Sequence, residues 1–192
     1  MKKVRTLVML FAASLFVLAS CDTKKNQDDS KEIAEEQNEE KFEDSDLDDD
    51  TDFAVDAADG GMLEVQLGQL ALTKASSPKV KEFAQSMVDE HSKANEELKT
   101  LAQSKNITLP STISEEKQKD YDKLAEKSGE EFDKAYSEFM VKDHKDDIDK
   151  FKKAAEKCED ADLKSWAAEK VPALEHHLSM AETMEDAVDG TE

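Results

Sequence analysis

The chain is poor in what most non-helical folds require. Its 192 residues include five glycines, three prolines and two cysteines, and aromatic side chains make up 6%. So few turn residues, with few β-branched or aromatic runs, argue against an all-β fold. Two cysteines cannot build a disulfide scaffold. Positive charge is scarce too: 26 Lys+Arg against 47 Asp+Glu give a formal net charge of −21. So acidic a surface repels phosphate backbones, so no nucleic-acid partner is expected. No Gly-rich loop that could cradle phosphate is present, and no serine sits in a nucleophile elbow. The length allows one domain of ordinary size with a tail.

The one long apolar run lies at the start. Lys2, Lys3 and Arg5 precede Leu7 to Ala19, a charged segment followed by a hydrophobic one too short to span a bilayer as a mature helix. Leu18-Ala19-Ser20 then leads into Cys21. This ending resembles the bacterial lipobox, where the cysteine is lipidated and the signal removed; the alternative is an ordinary signal peptide with an incidental cysteine. Residues 1–20 are therefore expected to be a lipoprotein signal peptide and Cys21 the lipidation site. Multiple acyl chains hold a protein on a membrane where a single one is marginal. The membrane is then a partner through the lipid anchor, outside the cytoplasm, and no protein partner can be read from the sequence.

Residues 22–50 carry fourteen Asp+Glu and four Lys, with few apolar side chains. Such a stretch buries too little surface to offset its ordering entropy, so residues 21–50 are expected to be a lipidated, acidic, disordered tether spanning about 30 Å. Acid just behind the cysteine also resembles surface-export signals of some Bacteroidetes lipoproteins, though a plain spacer accounts for it equally. Asp44, Asp46 and Asp48 begin like a calcium loop, but Asp49 replaces the required glycine and Val55 the closing glutamate.

From Thr51 onward the apolar spacing is helical. Long helices are expected over about residues 52–74, 78–104, 130–157 and 160–188. Pro78 suits the first turn of the second, and Asp160 the cap of the last. A shorter helix opening at Ser114 fills the middle connection. Two tight hairpins joined by a long crossover match a ferritin-like four-helix bundle over residues 51–190, all-α in class. The alternative is an up-down-up-down bundle with the short helix as a lid. Pro172, inside the last helix, should kink it.

Each long helix interrupts its apolar stripe once. Val80, Ala84, Met87, His91, Ala94 and Leu98 place His91 on a bundle seam, and Phe53, Ala57, Gly60, Glu64 and Leu67 do the same for Glu64. Val141, His144, Ile148 and Phe151, then Leu174, His177 and Ala181, complete the set. At about 1.5 Å per residue, the four side chains fall roughly 16–22 Å from one end in the crossover topology. A carboxylate and three imidazoles at one level could hold a transition metal such as Fe, Zn, Mn or Cu. A buried polar network without metal, or chance placement, accounts for the same pattern. The usual di-iron motif is absent: the residues three before each histidine are Val88, Val141 and Leu174, not glutamate. Asp147, three after His144, could assist in the reverse order. No catalytic motif is present. His176 falls off the stripe, the methionines read as bundle filler, and nothing marks Cys158 as reactive.

Several stretches together resemble the family called domain of unknown function 4142. They are Asp59-Gly60-Gly61-Met62-Leu63-Glu64-Val65, the run from Val80 to Ser92, Gly129 to Tyr136, Asp143-His144, and Pro172 to Leu178. The resemblance covers about residues 51–188. It implies a ferritin-like fold and an exported protein of the bacterial cell envelope, often at the outer membrane, on its periplasmic side or at the cell surface. It also sets Glu64, His91, His144 and His177 on the family's motif positions. It implies no reaction; metal handling and protection against envelope stress are the roles it leaves open, beside that of a non-enzymatic interaction module.

Overall fold

The computed structural model describes residues 29–43, 45 and 47–190. The leader, Cys21 and the first part of the acidic stretch lie outside the described residues, as do Asp44 and Asp46. Among the described residues the chain is all-helical, with six helices: α1 Ser30–Phe42, α2 Asp48–Lys74, α3 Pro78–Lys105, α4 Glu115–Ala125, α5 Gly129–Lys157 and α6 Ala161–Asp189. None is long and apolar enough to cross a membrane.

Helix ends follow local chemistry. Pro78 opens α3 after Ser77. The Ser114 hydroxyl accepts from the Lys117 N–H at the start of α4, and the Asp160 carboxylate accepts from Asp162 and Leu163 at the start of α6. Asn106 closes α3 in the left-handed region, φ 60°. Pro172 lies inside α6, which continues through it.

Three buried aspartates tie the ends together. Asp133, on the first turns of α5, accepts N–H bonds from Ser76 (3.1 Å) and Ser77 (2.8 Å) in the α2–α3 turn, and a bond from the Ser76 hydroxyl. Asp50, at the start of α2, accepts from Glu159 (3.1 Å) and Asp160 (2.7 Å) in the α5–α6 turn. Asp59 accepts from the Ser114 N–H at 2.7 Å and holds the start of α4. Each satisfies N–H groups at a turn or a helix start that no helical bond serves.

These ties fix the topology. The α2–α3 turn and the start of α5 share one end; the α5–α6 turn and the start of α2 share the other. Helices α3 and α5 therefore run parallel, and the chain returns along the bundle through α4. The simple up-down-up-down alternative is excluded. Helix α2 packs on α3 and α5, α6 packs on α5 and α3, and α4 lies against α2 and α5. At Gly68 the two hairpin helices approach closely. A Cβ there would meet the Ala84 carbonyl oxygen at 3.0 Å and Val88 Cγ2 at 2.9 Å.

The acidic stretch departs from expectation. Part of it is α1, which packs on α2, and α2 itself starts at Asp48 rather than near residue 52. Ala34 is buried and Phe42 packs against the core, and polar contacts add to this hold on α1. Asn38, 1% exposed, donates to the Thr108 carbonyl (2.9 Å) and accepts from the Thr108 N–H (2.7 Å). Lys31 pairs with Asp56 at 2.7 Å. The ordered body thus begins well before residue 51, and residues 30–42 are not a disordered tether.

The interior has two apolar parts. One gathers Leu63, Leu67, Phe83, Met87, Phe132 and Tyr136. The other gathers Ala54, Leu98, Ile148, Phe151, Leu163 and Trp166. Along α3, α5 and α6 the polar interruption falls between these two sets, and along α2 Glu64 follows Leu63 at the border of the first. Cys158, at the C-terminal cap of α5, is buried; burial, and then the Asp50 carboxylate, push its thiol up to about 12.

Candidate metal centre

The structure brings all four residues expected from the stripes to one level of the core. Glu64 is 1% exposed, His91 7%, His144 0% and His177 2%. The imidazole centroids are 5.8 Å apart for His91–His144, 5.2 Å for His91–His177 and 5.5 Å for His144–His177. One ring nitrogen of each lies within 4.8 Å of the others. His176, as expected, is exposed.

Each imidazole is held through one nitrogen. His144 Nδ1 donates to the Met140 carbonyl at 2.9 Å, an oxygen that can only accept. His177 Nε2 lies 3.0 Å from Glu90 Oε2. His91 Nδ1 lies 2.7 Å from Glu64 Oε2. The other nitrogens, His91 Nε2, His144 Nε2 and His177 Nδ1, are buried and have no hydrogen-bond partner among the described residues. Glu64 Oε1 is likewise buried and unpartnered, 3.6 Å from His144 Nε2. Anchoring by a carboxylate or carbonyl on one side, with a lone pair on the other, is the arrangement that orients a metal-ligating histidine. Four unsatisfied polar atoms in one core layer would otherwise each cost about 1–3 kcal/mol.

Electrostatics favour the ligand form of the histidines. Burial lowers the pKa of all three below its ordinary value. Like-charge repulsion adds to this at His144 and His177, while Glu64 opposes it at His144 and Glu90 at His177. Glu64 moves the other way. Burial raises it to about 8, with Asp143 adding repulsion and His144 opposing. Without a bound cation Glu64 therefore holds a proton near neutrality; a cation beside it would expel that proton.

Sequence reasoning missed three neighbours. Glu90 lies on the exposed side of α3 yet reaches His177; its place directly before His91 was the available signal. Asp143 and Asp147, 8% and 7% exposed, are buried on α5. With Glu64 they form a second group whose carboxylate oxygens lie within 4.8 Å of one another. Asp147 was noted only for its spacing from His144, and Asp143 only as part of a motif. Burial, and then repulsion from Glu64 and Asp143, push Asp147 up to about 7. A cavity of about 400 Å³ reaches this layer and touches Glu64, His91, Asp147 and His177, with Glu90 and Trp166 in its wall.

Among solved structures, the chain is similar to CopM in its Cu(I)-bound form, with a TM-score of 0.60 at 16% identity, over 70% of this chain and 93% of that one. It is similar to the same degree, TM-score 0.60 at 15% identity, to a DUF305 protein of Streptomyces coelicolor inferred to be secreted, over 71% of this chain and 91% of that one. At such identity the likeness is one of helical fold. No curated protein sequence matches the chain. The family profile described as domain of unknown function DUF4142 matches residues 31–184, so it takes in α1 as well as the bundle. By that match over most of its length, the chain belongs to the DUF4142 family.

Proposed function

We propose that this protein is an exported, lipid-anchored envelope protein whose ferritin-like bundle holds a transition-metal ion in its core, and that its role is metal handling. His91 Nε2, His144 Nε2 and His177 Nδ1 are the ligands. Glu64 orients His91 and turns its free oxygen toward the same centre. The observation that carries this reading is the pairing, in each imidazole, of one anchored nitrogen with one buried, unpartnered nitrogen. Imidazole donors suit Cu, Zn and Fe. The likeness in fold to a Cu(I)-bound protein makes copper the first ion to test, with zinc beside it. The lipobox ending at Cys21 supports the anchor, and the bacterial outer membrane is the proposed address.

A second reading treats the layer as a structural polar network, and the short His91–Glu64 contact favours it. The unpartnered atoms count against it, because a satisfied network would leave none. One experiment separates the two. The full-length chain, purified without a histidine tag, is stripped with chelator and titrated with Cu(I) and Zn²⁺ under metal analysis. Stoichiometric binding that is lost in His91→Leu and His144→Leu supports the metal reading. Failure of the wild type to bind either ion, with both variants as stable as wild type or more so, supports the network.

A further inference from the structure

Beside the imidazoles, three carboxylates meet in the protein interior. Glu64 from α2 and Asp143 and Asp147 from α5 each present an oxygen within 4.8 Å of the others, all buried. Two of their oxygens have no hydrogen-bond partner among the described residues: Glu64 Oε1 and Asp143 Oδ2. Two cations lie nearby. Lys117 of α4 reaches Asp143 at 3.5 Å, and Lys150, which is half-exposed, reaches Asp147 at 3.4 Å. Three buried carboxylates thus share one largely buried ammonium and one half-exposed one. The cavity that reaches His91 and His177 reaches Glu64 and Asp147 as well.

We propose that Glu64, Asp143 and Asp147 form a second cation site, of oxygen donors, that takes a hard divalent ion such as Mn²⁺ and shares Glu64 with the imidazole site. Carboxylate oxygens suit Mg²⁺, Ca²⁺ and Mn²⁺, whereas the imidazoles suit Zn²⁺ and copper. The two sites therefore differ in the ion they prefer, and Glu64 is in contact with both. The sharing of Glu64 rests on the metal reading of the histidines; the oxygen site itself does not.

The test uses the full-length chain, stripped of metal, with Mn²⁺ binding followed by the loss of the free-ion electron paramagnetic resonance signal and Zn²⁺ by elemental analysis. The wild type is expected to bind Mn²⁺ and Zn²⁺ together. Asp143→Asn combined with Asp147→Asn should weaken Mn²⁺ by roughly tenfold or more, the scale on which even outer partners affect metal sites, and leave Zn²⁺ in place. His177→Gln should weaken Zn²⁺ and leave Mn²⁺. Should the double variant fold poorly by circular dichroism, Asp147→Asn alone, at the cavity wall, carries the same expectation. Loss of Zn²⁺ binding in the wild type with Mn²⁺ retained would remove the imidazole reading and keep this one. No uptake of Mn²⁺ by the wild type, or uptake indifferent to both aspartates, would overturn it.

Discussion

Toward the α2–α3 turn the interior is filled by Leu63, Phe83, Phe132 and Tyr136; toward the α5–α6 turn it is filled by Leu98, Phe151, Leu163 and Trp166. Between them, Glu64 and the three histidines leave polar atoms unpaired. The apolar ends carry the stability that water exclusion provides, and their polar backbone groups are closed off by Asp50, Asp59 and Asp133. The middle layer lowers stability until something satisfies it. A protein selected for packing alone would have filled that layer with leucine.

This contrast can be broken or sharpened by experiment. The largest effect is expected at an end. Phe132→Ala, at a fully buried site, should cost about 4 kcal/mol in urea unfolding, by the same amount with and without metal. Metal itself comes next. Copper or zinc at a hundredfold excess over its dissociation constant should add about 2.7 kcal/mol to the wild type and nothing to His144→Leu. That variant, measured without metal, should be as stable as the wild type or up to about 2 kcal/mol more stable. Glu64→Gln should weaken metal binding roughly tenfold to hundredfold, read by competition with a chelator.

The smallest effect is in pH. Glu64 rises from 4.5 to about 8 on folding, so its contribution is complete below 4.5 and is lost as pH climbs through 8. The histidines, lowered from 6.5, contribute above 6.5 and lose that contribution as pH falls. From pH 7 to 8 the Glu64 slope is therefore the larger part, with a smaller part of the same sign from Asp147, pushed up to about 7. Metal-free wild type should lose about 1 kcal/mol across that interval. Glu64→Gln should remove most of the slope and leave the part due to Asp147, as thermal midpoints at the two pH values would record.

How far these features can be read from the residues depends on the range of the forces involved. The long helices were legible because Val80, Ala84, Met87 and Leu98 repeat at helical spacing, and their ends because Pro78, Ser114 and Asp160 act on their own neighbours. The inward positions of Glu64, His91, His144 and His177 followed from the same period. Helix α1 did not, since Asn38 is held by Thr108, a contact between residues 70 apart with no periodic trace. Burial of Asp143 and Asp147 was hidden for a related reason. Both lie near the face of α5 toward which Lys117 of α4 reaches, and where a crossover helix lies cannot be read from the spacing of another.

Cys158 closes the α5–α6 corner with its sulfur sheltered next to a carboxylate. A thiol so reluctant to ionise is a poor nucleophile. Preparations kept in air should stay free of covalent dimers through this residue, and thiol-specific labels should react with it only once the corner opens. The rate of such labelling would then report how often the tie made by Asp50 lets go, giving a clock for local unfolding at one end of the molecule.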